Sequence, residues 1–312
     1  MFFQNMAIAA QQVAILYLIV AVGFVLDRSG VFKQSTAKLS NDLLFYVTTP
    51  TVIVQSFLSM EFDTETVKSF GLAFVCMSGT LFAGLLLALP FFNKAGRDMP
   101  VFKYAVTYGN MGYMALPLCQ AMLGDEGVFY CSAGVVAFNI ISFTHGIWLM
   151  THDSGRKVKF DLKKLVLNPG VISVLIGAPL FVLGVKLPMV LQKTVDHISN
   201  LNTPLAMLFL GTYIANTDLK SMFKDGRNYL VALLKLIVLP AVMFGIFRLC
   251  GISGAMLTAL IISASAPSAN NTVMFAAKYD KDTGAASKIV AMCSLFCVVT
   301  IPVMIAFAGF GK

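Results

Sequence analysis

Strongly apolar, uncharged stretches alternate along the chain with short links that hold most of its charge. Several stretches approach the roughly 20 residues that an α-helix needs to cross about 30 Å of hydrocarbon. The pattern predicts ten membrane-spanning helices, at residues 7–26, 39–60, 66–90, 101–123, 127–150, 165–185, 189–216, 228–250, 253–277 and 286–310. Ten spans and their links use up the chain. The longest link, Thr151 to Lys164, is a basic loop, so no stretch remains for a sizeable soluble domain. The opening MFFQNMAIAAQQ lacks a basic flank and reads as part of a retained first span rather than a cleaved signal peptide.

Composition agrees with a polytopic membrane protein. Of 312 residues, 58% are hydrophobic and only 12% charged, and mean hydropathy is +0.81; soluble domains carry about a quarter charged residues. The net charge of +8 would suggest a nucleic-acid partner only if its positions were ignored. Of the 23 Lys and Arg residues, 17 fall in the odd-numbered links and five on the opposite side, with Lys235 inside span 8. That asymmetry places the odd links in the cytoplasm of a cell-membrane protein and both termini outside. The lipid bilayer, not nucleic acid, is the expected partner. The six cysteines lack metal-type spacing and read as packing residues.

The two halves echo one another. Spans 2 and 7 each hold a Thr-Pro pair, at Pro50 and Pro204, and spans 4 and 9 each hold a proline in a polar, small-residue stretch, at Pro117 and Pro267. Both offsets are about half the chain. A repeat of five spans is odd, so its second copy inserts upside down, as in many secondary transporters, and paired interrupted spans point to their binding site. The expected units are residues 1–151 and 165–312, joined by a basic linker at 152–164.

The interrupted spans carry the candidate chemistry. Span 9 reads ISASAPSANNTVMFAAKYD from Ile262. A proline inside a helix frees a carbonyl, which hydrocarbon leaves unsatisfied. Such a break is tolerated where protein or a watery cavity serves the freed groups, and Ser268, Asn270 and Asn271 can line that cavity. Span 4, YAVTYGNMGYMALPLCQAML, offers Asn110, Met111, Gly112, Pro117 and Gln120. If the two spans cross at their breaks, half-helix N-termini converge and attract an anion. Asn139, alone in an apolar stretch of span 5, reads either as a substrate contact or as an interhelical hydrogen bond. His145 and Trp148 read as interfacial, with a proton relay as the alternative for His145. Lys235 is expected to snorkel to the cytoplasmic face, or otherwise to add positive potential to the site. No Asp or Glu lies in the middle of a span, which argues against a carboxylate-based cation exchanger. No HExxH, Gly-x-Ser-x-Gly or P-loop pattern is present, so neither an enzyme nor an ATP-driven pump is expected.

The segments YGNMGYMALPL, LNPGVISVLIGAP, LNTPLAMLFLGTYIA, LKLIVLPAVM and APSANNTVMFAAKYD, in this order and spacing, resemble the auxin efflux carrier family of secondary transporters over nearly the whole chain. The resemblance implies an all-α membrane protein of ten transmembrane helices in two inverted five-helix repeats, with broken helices 4 and 9 crossing, as in the bile-acid-transporter-like fold. Spans 1, 2, 6 and 7 would form a scaffold, and spans 3–5 and 8–10 a moving unit. Asn110 and Pro117 match the family's span-4 break, Asn139 its span-5 amide and Pro267 its span-9 break. Small organic anions such as malate, malonate or lactate are the implied substrates. Auxin-like acids are less expected, because the long central loop of many plant exporters is missing. No cofactor or metal is implied, and a homodimer through scaffold helices stays open. A sodium-coupled organic-anion symporter and a non-transporting membrane receptor are the competing readings.

Overall fold

The computed structural model describes residues 2–32, 34–93, 96, 98–152 and 167–309. The expected linker at 152–164 lies outside them apart from His152. Apart from one isolated β-bridge and a single helical turn at Leu219–Met222, the regular elements among the described residues are helices: α1 (Phe2–Arg28), α2 (34–59), α3 (Thr64–Phe92), α4 (Met99–Thr107), α5 (Met111–Thr151), α6 (Pro169–Val182), α7 (Met189–Asn200), α8 (Asn202–Ala215), α9 (Gly226–Leu249), α10 (Gly254–Ser265), α11 (Asn271–Lys278) and α12 (Thr283–Ala308). By length and apolarity α1, α3, α5, α9 and α12 can each cross a bilayer, while α6 and α10 are shorter apolar helices. At 41 residues, α5 would run about 60 Å, twice the hydrocarbon thickness. Gly124, at φ 62° and ψ −149°, divides it into two limbs, a conformation that only glycine adopts without strain.

Three prolines sit inside these helices by one device. Pro50, Pro117 and Pro240 each follow a five-residue π-turn, at Leu44–Thr48, Met111–Ala115 and Leu234–Val238. In each case the residue just before the proline donates its N–H five residues back: Thr49 to Leu44, Leu116 to Met111 and Leu239 to Leu234. The wider turn absorbs the carbonyl that a proline ring would otherwise strike four residues back. The helix therefore continues past the proline instead of ending.

Packing divides the helices into two groups. In one, α1 lies along α8, and α2 packs on α6 and α7. Gly23 of α1 and Gly211 of α8 face each other so closely that a Cβ on either would run into the partner's backbone, the close approach that small residues permit in membranes. In the other, α3 packs on α4 and α5, α5 on α10, and α12 on α9, α10 and α11. The groups meet through α1 with α12 and α2 with α5, the latter around a cluster of Phe57, Phe70, Phe129 and Phe181. Large apolar side chains such as Phe3, Leu18, Val25, Val75 and Phe82 point outward, which suits a surface solvated by lipid rather than water.

Candidate functional site

Two helix interruptions organise the centre of the molecule. α4 stops at Thr107 and α5 starts at Met111, while α10 stops at Ser265 and α11 starts at Asn271. The intervening segments lie antiparallel: the Asn110 N–H donates to the Pro267 carbonyl at 2.7 Å and the Ala269 N–H to the Tyr108 carbonyl at 2.9 Å, flanking Gly109 opposite Ser268. Each break thus serves backbone groups freed by the other, which removes a large part of the penalty for non-helical backbone in an apolar interior. The Ser268 hydroxyl adds a bond of 2.8 Å to the Ala105 carbonyl.

The span-9 break contains its proline, as the sequence leads one to expect. The span-4 break does not. Helix α5 passes through Pro117 without interruption, because the π-turn before it accommodates the ring, and the break lies earlier, at Tyr108–Asn110. Pro117 is buried in helix packing.

A cavity of about 1470 Å³ opens beside the crossing. Its closed end is formed by Asn110, Met111, Gly112, Ala269, Asn270 and Asn271, and its outer end by Leu167, Asn216 and Lys278, all three exposed. Asn139, Thr49 and Asn168 line its polar walls, and Phe138, Phe143, Phe209 and Phe275 its apolar ones. Six of the ten residues singled out in the sequence therefore share one cavity: Asn110, Met111, Gly112, Asn139, Asn270 and Asn271. Pro267 and Ser268 shape the crossing without lining the cavity, and Pro117 does neither. Gln120 lies elsewhere, bonded to Asp125 at 3.3 Å and lining a separate cavity of about 260 Å³ with Gln55, Ser199, Asn200 and Asn202.

The polar groups at the closed end differ in how far they are already used. Asn110 caps α5, its side-chain oxygen accepting from the Tyr113 N–H at 3.3 Å. Both polar atoms of the Asn270 side chain are buried without a hydrogen-bond partner. Asn139 has no side-chain hydrogen bond among the described residues, and its Nδ2 lies where a Cβ on Gly170 would come within 2.7 Å. The backbone N–H groups of Gly112 and Asn271, in the first turns of α5 and α11, have no acceptor among the described residues. Each helix N-terminus carries roughly half a positive charge, so two such ends with free donors face the cavity. A Cβ on Gly112 would meet nothing within 4 Å, which leaves its amide approachable.

Residues outside the sequence shortlist also matter. The hydroxyls of Thr48 and Thr49 both donate to Asn202 Oδ1, at 3.0 and 2.9 Å. Thr49 lines the large cavity and Asn202 the small one, so this knot stands between them. Thr48 and Asn202 are 154 positions apart, the offset of Pro50 and Pro204, which was the signal that could have found the contact. His145 Nδ1 is 2.9 Å from the hydroxyl of Tyr108, a residue of the break, and Trp148 is exposed. Lys235 is the largest departure. It does not snorkel: it is 1% exposed, with its Nζ beside Gly109.

The chain matches the family described as "Membrane transport protein" in two segments, residues 8–159 and 150–305, one for each half. It belongs to that family, the auxin efflux carrier family of multi-pass membrane transporters, which are not enzymes. Its relatives include the uncharacterized transporter MJ1031 of Methanocaldococcus jannaschii, 26% identical over 94% of this chain and 95% of that protein. An uncharacterized transporter of Methanothermobacter thermautotrophicus is 25% identical over 91% and 93%. A Rhizobium meliloti protein described as "Putative malonate transporter" is 23% identical over 84% of this chain and 83% of its own length.

Proposed function

We propose that this transporter is a secondary carrier of small organic carboxylates, exporting or exchanging them by alternating access at the crossing of the two broken helices. The observation that carries the reading is the closed end of the large cavity. There the free amides of Gly112 and Asn271 and the unpartnered side chain of Asn270 converge between two positive helix ends. A carboxylate accepts hydrogen bonds and supplies the negative charge this arrangement lacks, and Asn110 and Asn139 line the same cavity. Similarity to a protein described as a malonate transporter supports mono- and dicarboxylates such as malonate, malate or lactate. The aromatic walls leave room for an acid with an apolar body, auxin-like acids included.

In this reading the chain makes ten crossings in two inverted repeats, 1–151 and 165–312. α4 with the first limb of α5 forms span 4, and α10 with α11 forms span 9. The group α1, α2, α6, α7 and α8 is the scaffold and the remainder the moving unit. The Lys and Arg bias puts the mouth of the large cavity in the cytoplasm and both termini outside. The Thr48, Thr49 and Asn202 knot then closes the opposite side, and the small cavity behind it becomes the exit when the moving unit shifts.

The test is uptake of labelled malonate, malate, lactate and an aromatic acid into proteoliposomes, wild type against Asn270→Ala and Asn139→Ala. The reading expects saturable flux of at least one acid and its loss in Asn270→Ala. Wild-type rates in both variants would remove the site. Accessibility of single cysteines placed in the odd and even links checks the topology.

A further inference from the structure

Lys235 is a full charge buried beside the crossing, and anion recognition in the large cavity leaves it unused. It occupies the π-turn Leu234–Val238 of α9 and is 1% exposed. Among the described residues, no acidic side chain lies within ion-pair distance of it. Its ammonium is located by a neighbour without a side chain: a Cβ on Gly109 would lie 3.0 Å from Lys235 Nζ and 3.3 Å from the Ala266 carbonyl oxygen. Gly109 is the second residue beyond the end of α4, and Ala266 is the first beyond the end of α10. The ammonium therefore lies beside Gly109, in the segment that follows α4, on the side that also faces the Ala266 carbonyl following α10. The N-terminal ends of α5 and α11 lie toward the cavity, which Lys235 does not line.

A crossing of two broken helices gathers two positive and two negative ends. Each C-terminal end carries roughly half a negative charge and carbonyls that lack partners within the helix, so the two together amount to about one unit. One lysine neutralises that unit and leaves the positive ends free to act on an anion. In crossed-helix carriers that couple to a cation, half-helix C-terminal ends and unwound carbonyls coordinate the cation. We propose that Lys235 is the resident cation of this crossing: its ammonium fills the place of a coupling metal ion, so that anion transport needs no sodium. The proposal rests on the crossing being the transport site, and it goes further by assigning the coupling.

The test begins without any organic anion. The melting temperature of the purified full chain is measured in sodium chloride and in choline chloride, for wild type and Lys235→Ala, with and without propylammonium, the fragment that the substitution removes. Wild type is expected to show no sodium-dependent shift. Lys235→Ala is expected to gain roughly 2–4 °C at saturating propylammonium or sodium. A sodium-dependent shift in wild type, or a folded Lys235→Ala that responds to neither cation, overturns the proposal. Should Lys235→Ala not fold, Lys235→Arg and Lys235→Met are compared. Arg must melt higher than the uncharged, similarly long Met, and equal melting temperatures overturn the proposal.

Malonate and malate flux in proteoliposomes follows. Wild-type rates are expected to agree within about twofold in sodium and in choline, and Lys235→Ala to fall at least tenfold and recover with propylammonium. Sodium-dependent wild-type flux overturns the assignment. Absence of flux for all carboxylates overturns the reading of function, while the thermal result still decides the cation site on its own.

Discussion

The two breaks at the crossing occupy matching places in the two halves of the chain, yet they are finished differently. In the first, Asn110 spends its side-chain oxygen on capping α5 and its N–H on the Pro267 carbonyl, and the nearby Pro117 is absorbed into a continuous helix. In the second, the proline lies inside the break, and Asn270, at the equivalent helix start, makes no side-chain hydrogen bond at all. A buried polar group left unmade costs about 1–3 kcal/mol, so a fold maintains such a group where a partner arrives from outside. Under the proposed function, the first break serves structure and the second keeps its bonding capacity for the carboxylate.

The sharpest way to break that contrast is Asn270→Ala. Losing a hydrogen bond to a charged group, worth about 1.5–3 kcal/mol, should lower carboxylate flux roughly ten- to hundredfold. The melting temperature should hold or rise, since an unsatisfied amide has gone. A clear fall in melting temperature with flux intact would reverse the assignment of the two breaks. The prolines come next. Pro267→Ala should loosen the second break toward helix and reduce flux several-fold with some loss of stability, because the Asn110 N–H and the Tyr108 carbonyl would lose the partners the break gives them. Pro117→Ala should leave flux within about twofold of wild type. Equal effects at the two positions, read in the same proteoliposome assay, would mean that the breaks do not differ as described.

Asn110→Ala should cost about 1 kcal/mol through the lost cap, read as a fall of about 2 °C in melting temperature, with flux reduced less than in Asn270→Ala. The smallest effect is a control in water. Asp63 caps α3 by accepting from the Thr66 N–H at 2.7 Å and the Thr66 hydroxyl at 2.8 Å, which holds its carboxyl below the usual carboxylate range. Its folded form titrates lower than its unfolded form, so its contribution is present above the ordinary carboxylate range and is lost as pH falls through the folded value. The difference in melting temperature between wild type and Asp63→Asn should be small at neutral pH and vanish in acid. A difference that persists in acid would show that the solvent-facing cap works by something other than its charge.

Much of this was legible in the chain itself. Apolar runs betray a membrane protein because lipid tolerates little charge, and the match of Pro50 with Pro204 foretold a duplication whose related residues, Thr48 and Asn202, turn out to touch. Six of ten shortlisted residues share the cavity because broken spans must keep polar company. The misses have physical causes. The string suggests a break at Pro117 because a proline normally ends a helix, whereas a π-turn, invisible in a residue string, lets the helix run on. Gln120 lies on the far side of the crossing, past the turn of α5 that carries Pro117. Hydropathy directs Lys235 to the membrane surface because an unpaired buried charge is costly. Two helix ends from distant parts of the chain lower that cost, and no local window contains both.

Sequence alone determined that the protein lives in a bilayer, that it is a transporter built from related halves, and which two segments are too polar to be ordinary spans. Those properties follow from hydropathy and spacing, which are local. Only tertiary structure decided where the breaks fall, that they pair backbone to backbone, which amides are left without partners and where the buried lysine points. Each of these depends on groups more than a hundred residues apart meeting in space, and the bonds they make or lack are set by that meeting.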